Sequence, residues 1–277
     1  MPAASRNVDP KQHRLPVRQL PTAAIATDVR RQYEERFGDQ PEKPGGWYRD
    51  DDWRRTSFVL HLVRSGASAL DVGAGAGQFA NMLAASGKFQ SVTALDHIRF
   101  EKYTEFHPGL SRRDASIVEL PFDDDEFDVV TCMEVLEHVS DEVLEPGIAE
   151  LRRVCRGQLV MSVPFEEAEP LSKGPMRRFE TADVRERFPD AGFTLLDRPR
   201  MPWLIIEERL DGTPFDSPVT LEDLPSADGT TPQERRLTAL EAEVAQLRSL
   251  PSVRIEKRAR SVARRARRRL SSPRSTS

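Results

Sequence analysis

A chain of 277 residues suffices for one large domain with attachments or two small ones. Its 38% apolar and 31% charged content implies that part of the length is solvated tail, and no run approaches the ~20 apolar residues that span a bilayer. The net charge of −4 conceals a basic stretch, residues 251–277, whose ten cations against the single acid Glu256 leave +9 there and −13 elsewhere.

Residues 1–26 are polar and aperiodic and read as a mobile lead-in. Thr27 and Asp28 are positioned to cap a short helix through Phe37, and Gln40 to Gly46 is a Pro/Gly linker. Trp53 to Val63 reads as a helix entering the core. Ser68–Val72 is a strand, Gly77–Ser86 a helix, Ser91–Asp96 a second strand and Ile98–Phe106 a short helix ended by Pro108. A third strand lies near Ser111–Arg113 and a fourth spans Phe127–Cys132. Asp141–Cys155 is helical, with a kink or break expected at Pro146-Gly147. Gln158–Val163 is a fifth strand, and Thr181–Phe188 a helix capped by its threonine. Phe193–Asp197 and Trp203–Glu208 are joined closely enough to form an antiparallel hairpin. This alternation predicts an α/β fold with a mostly parallel sheet covered on both faces. The domain plan is a mobile segment with a short helix over 1–46, a compact domain over 47–209, a linker over 210–233, and a helical, Arg-rich tail over 234–277.

The strongest local signal is the run Ala69-Leu70-Asp71-Val72-Gly73-Ala74-Gly75-Ala76-Gly77. A strand enters a glycine turn that opens a helix, so the backbone can take positive φ and approach a ligand. The spacing is G-x-G-x-G, and Gln78 stands where a dinucleotide fingerprint needs its third glycine. No lysine follows, which argues against a P-loop. Asp71 at the strand end would repel a pyrophosphate but favour a cation. S-adenosylmethionine carries an ammonium and a sulfonium and no phosphate. Asp96 ends the second strand, where a carboxylate can accept from both hydroxyls of a ribose, and His97 is placed to flank the adenine. Asp114 ends the third; it can accept from the adenine amine while the backbone N–H beside it, at Ala115, reaches a ring nitrogen. Three acids at three successive strand ends make one rim of a crevice.

On these residues the chain resembles the class I S-adenosylmethionine-dependent methyltransferases, type-11 group. Leu70–Gly77, Thr93–Asp96, Asp114–Phe122 and Phe127–Val139 carry the likeness, and Phe127–Val139 is similar to the ubiquinone-biosynthesis O-methyltransferases. The resemblance implies a Rossmann-like seven-stranded sheet with an antiparallel edge hairpin. It also implies Asp71, Gly73, Gly75, Gly77, Asp96, His97, Asp114, Ala115 and Met133 around the cofactor, with Met133 on the adenine side. Trp47 and Tyr48 are candidates for a lid.

Methyl transfer from a sulfonium is an in-line displacement, so the protein's task is mainly to hold the acceptor. A base is required only for an acceptor that keeps its proton. Glu134, Glu137 and His138 follow the fourth strand and are the catalytic candidates. Two carboxylates and an imidazole also form a loose metal set, though the Met176–Phe179 segment supplies no further histidine. The two cysteines, Cys132 and Cys155, read as buried thiols in a reduced cytoplasm. No apolar signal core is present at the N-terminus. The basic tail suits an anionic membrane surface or another polyanion and places the chain in the cytoplasm, peripherally at the inner membrane face. The expected function is O-methylation of a small molecule or a lipid-linked saccharide in envelope or secondary metabolism. Two rivals are a nucleic-acid methyltransferase using the tail as a phosphate-binding arm and a cofactor-binding scaffold without catalysis.

Overall fold

The structure, a computed structural model, describes residues 22–38, 50–166, 177–196 and 202–215. The chain divides into two compact units, 1–221 and 222–277. The second lies outside the described residues, as do the 40–46 linker, Trp47, Tyr48 and the basic tail.

Two helices, α1 (Ala23–Phe37) and α2 (Asp50–Leu62), precede the sheet. Alternation then gives β1 (Ser68–Val72), α3 (Gln78–Ala85), β2 (Ser91–Asp96), β3 (Leu110–Asp114), β4 (Phe127–Met133), α4 (Asp141–Val154) and β5 (Cys155–Pro164). The last elements are α5 (Thr181–Arg187), β6 (Gly192–Leu196) and β7 (Trp203–Arg209). The seven strands are ordered β3-β2-β1-β4-β5-β7-β6. The first five are parallel, and β7 runs antiparallel between β5 and β6. The order reverses between β1 and β4, which opens a crevice at the carboxyl ends of those strands. This is the expected Rossmann-like seven-stranded sheet with its antiparallel edge hairpin.

Burial explains the strand sequences. In β5 every residue except Arg156 is buried, as for a strand covered on both faces, whereas the edge strand β3 buries only Leu110. Helix α4 presents Leu144, Ile148, Leu151 and Val154 inward, and Gly147 leaves room for Ile117, which a Cβ would meet at 3.3 Å. Both cysteines are buried free thiols.

Several local expectations change. Helix α1 begins at Ala23, so Thr27 and Asp28 lie inside it. The Thr27 hydroxyl bonds back to the Ala23 carbonyl, and Asp28 accepts from Arg31 and Gln32. Tyr33 and Val29 are buried in the core, so α1 is part of the domain rather than of a mobile lead-in. No helix forms over 98–106. There Asn81 of α3 brackets the chain instead. Its amide group donates to the Thr104 carbonyl at 2.7 Å, and its oxygen accepts from the Phe106 N–H at 2.8 Å. These bonds satisfy backbone groups that a helix would have paired. Helix α4 runs unbroken through Pro146. Helix α5 is capped by Glu180, which exchanges hydrogen bonds with Asp183, while the Thr181 hydroxyl donates to Glu166.

Candidate active site

The turn after β1 needs its glycines. Gly73, Gly75 and Gly77 have φ of 75°, 58° and 85°. A Cβ on Gly73 would meet Val135 Cγ2 at 2.1 Å. The turn's amides are already committed. Gly73 and Ala74 donate to the Leu95 carbonyl, at 2.8 and 3.0 Å, and Gly77 to the Ala74 carbonyl, at 2.8 Å. Gly75 donates to Asp96 Oδ2 at 2.9 Å. Phosphate-binding turns work by pointing such N–H groups at the anion, so these four N–H groups are unavailable to a diphosphate. Above the turn, the Tyr33 hydroxyl donates to the Ala76 carbonyl at 2.6 Å, pinning α1 to it.

Asp71 is 3% exposed and accepts from the Thr131 hydroxyl at 2.7 Å. Burial pushes its carboxyl up to about 7; Thr131 opposes the shift and the charge of Asp96 adds to it. A desolvated acid of this kind gains most from a cationic ligand. It borders a pocket that opens to solvent. Asp71, Gly73, Ala74 and Met133 form the sheet side, Gln78 and Phe79 come from α3, and Asp52, Trp53, Arg55 and Thr56 come from α2.

Strand register brings the other acids to the same edge, with Asp96 paired to Asp114 across β2 and β3. Asp96 is buried and receives the Gly75 and Ile98 N–H groups, so its carboxylate is rigidly aimed. His97 is exposed, with Nδ1 at 3.2 Å from Asp96 Oδ1. Asp114 is exposed and paired with Arg112, whose guanidinium also donates to the Ile98 carbonyl at 3.0 Å. The Ala115 N–H donates to the Asp96 carbonyl at 3.3 Å, so it is not the open donor foreseen for an adenine nitrogen.

The three candidates after β4 separate. Glu134 takes φ of 56°, a left-handed conformation rare outside glycine, which turns its side chain inward. Its carboxylate accepts from Ser162 at 3.0 Å and from Trp203 Nε1 at 2.8 Å, and Arg55 Nη1 lies 3.0 Å away. Glu137 is buried, on the 3₁₀ turn Leu136–His138. His138 is half-exposed, with Nε2 3.8 Å from Glu137 Oε1, too far for a hydrogen bond. Among the described residues no group of three His, Cys, Asp or Glu gathers as a metal site would require. Glu134 is thus engaged by Ser162, Trp203 and Arg55, and Glu137 is buried in the protein.

The contribution of α2 was missing from the sequence reading. Arg55 is 7% exposed and lies on the stripe shared with Val59 and Val63, both buried. A cation on an apolar helical stripe was the signal available.

Residues 70–160 match the model of a methyltransferase domain family, type 11. The chain carries a type-11 methyltransferase domain. It is a class I enzyme of the S-adenosylmethionine-dependent kind, and the committed amides and buried Asp71 fit that cofactor. No curated protein matches the sequence. Solved structures similar to this methyltransferase include magnesium protoporphyrin IX methyltransferase from Synechocystis with bound S-adenosylhomocysteine. It is 17% identical over 68% of this chain and 95% of that one, with a TM-score of 0.47. A SAM-dependent methyltransferase from Aquifex aeolicus is 14% identical over 72% and 98%, TM-score 0.42. Another from Methanosarcina mazei is 16% identical over 55% and 96%, TM-score 0.43.

Proposed function

We propose that the methyltransferase acts on a hydroxyl of a small molecule or a saccharide, lipid-linked saccharides included. Bound S-adenosylmethionine supplies an electrophilic methyl group. Asp71 attracts the donor's cationic end, Asp96 takes the ribose hydroxyls, Asp114 and His97 flank the adenine, and Met133 lines the pocket beside them. His138 takes the proton from the acceptor hydroxyl. One observation carries this assignment: on the turn leaving Met133, the imidazole is half-exposed while both neighbouring carboxylates are turned inward. A hydroxyl keeps its proton at neutral pH, so its methylation needs such a base.

The test is incubation with methyl-labelled S-adenosylmethionine and a panel of hydroxylated small molecules and oligosaccharides, with mass spectrometry of the products. Methyl ethers should form, and His138→Ala should lower turnover ~10²–10⁴-fold. Methylation at nitrogen or carbon, or full activity in the variant, would overturn the proposal.

The charge division supports a second statement, that residues 251–277 draw the enzyme to an anionic membrane surface. Among the described residues no helix is long and apolar enough to cross a membrane. The full chain should float with vesicles containing anionic lipid, and a chain ending at residue 250 should not. Equal flotation of both removes the tail as the cause.

A further inference from the structure

His138 lies between two backbone anchors. On one side its own N–H donates to the Val135 carbonyl at 2.9 Å, closing the 3₁₀ turn. On the other, the carbonyl of Val139 accepts from Arg177 Nη2 at 2.7 Å. Arg177 belongs to the stretch between β5 and α5. Two residues on, Phe179 is 1% exposed, bridges to Phe165 and accepts from the Glu166 N–H at 2.9 Å, so the arginine stands on a fixed base. Its side chain is 15% exposed, and Nη1 lies 2.9 Å from Asp141 Oδ1. That carboxylate is 96% exposed, and a pair so open to water holds little. The bond to the Val139 carbonyl is the stronger tie.

Stability alone does not explain this arginine. Nε is buried with no hydrogen-bond partner among the described residues, and burying an unfilled donor costs free energy. An apolar side chain would fill the same place without that cost. What an apolar side chain could not do is hold the carbonyl next to His138. The imidazole has no such support from its neighbour: Nε2 is 3.8 Å from Glu137 Oε1, beyond hydrogen-bond reach. It takes its place from the backbone beneath it. We propose that Arg177 is a positioning residue for His138. It ties the turn after β4 to the stretch after β5, so that the imidazole meets the acceptor hydroxyl at a fixed distance. The part played in turnover rests on His138 as the base; the positioning itself does not.

The experiment uses the full chain as wild type, Arg177→Gln, Arg177→Lys, His138→Ala and the double variant of Arg177→Gln with His138→Ala. Diethyl pyrocarbonate, which acylates accessible neutral imidazoles, is followed by peptide mass spectrometry with exposed His97 as the internal reference. In Arg177→Gln the freed turn should raise the His138-to-His97 rate ratio roughly 2–10-fold, the weight of one hydrogen bond. Arg177→Lys keeps a donor for the Val139 carbonyl and should bring the ratio back toward wild type. Turnover is read with methyl-labelled S-adenosylmethionine on the panel of hydroxylated small molecules and oligosaccharides. Arg177→Gln should lower kcat ~10–100-fold, since a misplacement of ~1 Å costs about that much, and leave S-adenosylhomocysteine affinity unchanged. Added to His138→Ala it should cost nothing further, because residues acting as one unit are not additive. A wild-type rate ratio in Arg177→Gln, or an undiminished loss in the double variant, overturns the proposal. Should Arg177→Gln fail to fold, Arg177→Met replaces it in both readouts. Full turnover by His138→Ala sinks the base reading instead and leaves the rate ratio to decide on Arg177.

Discussion

Cofactor affinity should depend on pH through Asp71. In the free protein this carboxyl sits near 7, because burial penalises its charge more than the Thr131 hydroxyl relieves it. A cationic ligand requires the ionised form, so binding drives off the proton that the free protein holds below 7. For a group titrating at about 7 in the free state, affinity should fall roughly tenfold between pH 8 and pH 6. The same shift sets the sign for stability without ligand. The folded state binds a proton that the unfolded state releases near 4, so this carboxyl's contribution to stability declines as pH rises from 4 to 7. Asp71→Asn keeps an oxygen for Thr131 and removes the charge. It should raise the melting temperature of the free protein at pH 8 while weakening S-adenosylhomocysteine binding there. Calorimetry at pH 6, 7 and 8, in buffers of different ionisation enthalpy, reads both affinity and proton release. Flat affinity across that range in wild type refutes the reasoning, as does the same slope in Asp71→Asn.

Gly73→Ala should destabilise the domain by about 2–5 kcal/mol, adding a left-handed backbone penalty to a collision with Val135, and urea unfolding measures it. Asn81→Leu removes the bracket on residues 104–106 and leaves part-buried backbone groups unpaired. A loss of about 2–4 kcal/mol is expected, with faster amide exchange confined first to that loop. Glu134→Ala leaves the buried Arg55 without its closest anion and should cost about 3–5 kcal/mol, whereas Glu134→Gln, whose amide oxygen can accept from Trp203 while its NH2 donates to the Ser162 hydroxyl, should cost less. Thermal melts of the two variants rank them, and equal losses would show that the hydrogen bonds to Trp203 and Ser162 add nothing to the ion pair.

Elements dominated by local pattern were readable from the residues. Strands β1 and β2 have the expected bounds, because a short apolar run meeting an acid and a turn admits few alternatives. The 98–106 segment misled for the opposite reason. Its helical pattern was overridden by one buried asparagine about 20 residues upstream in sequence. Similarly, Thr181 seemed the cap of α5 because threonine is a favoured N-cap, yet Glu180 with Asp183 makes the reciprocal pair. In the site, Asp71, the glycines and Met133 were legible as one motif and one strand end. Arg55 was not, because its partners Glu134 and Trp203 lie 79 and 148 residues away.

By itself the amino-acid order determined the alternation of strands and helices, the glycine turn and the placing of an acid beside it, since each depends on neighbours along the chain. Tertiary structure decided the order in which strands lie, the inward rotation of Glu134 and the meeting of Arg55 with Asp71 in one pocket. Those outcomes depend on which distant groups desolvate each other, and desolvation is a property of the packed molecule that no local run of residues contains.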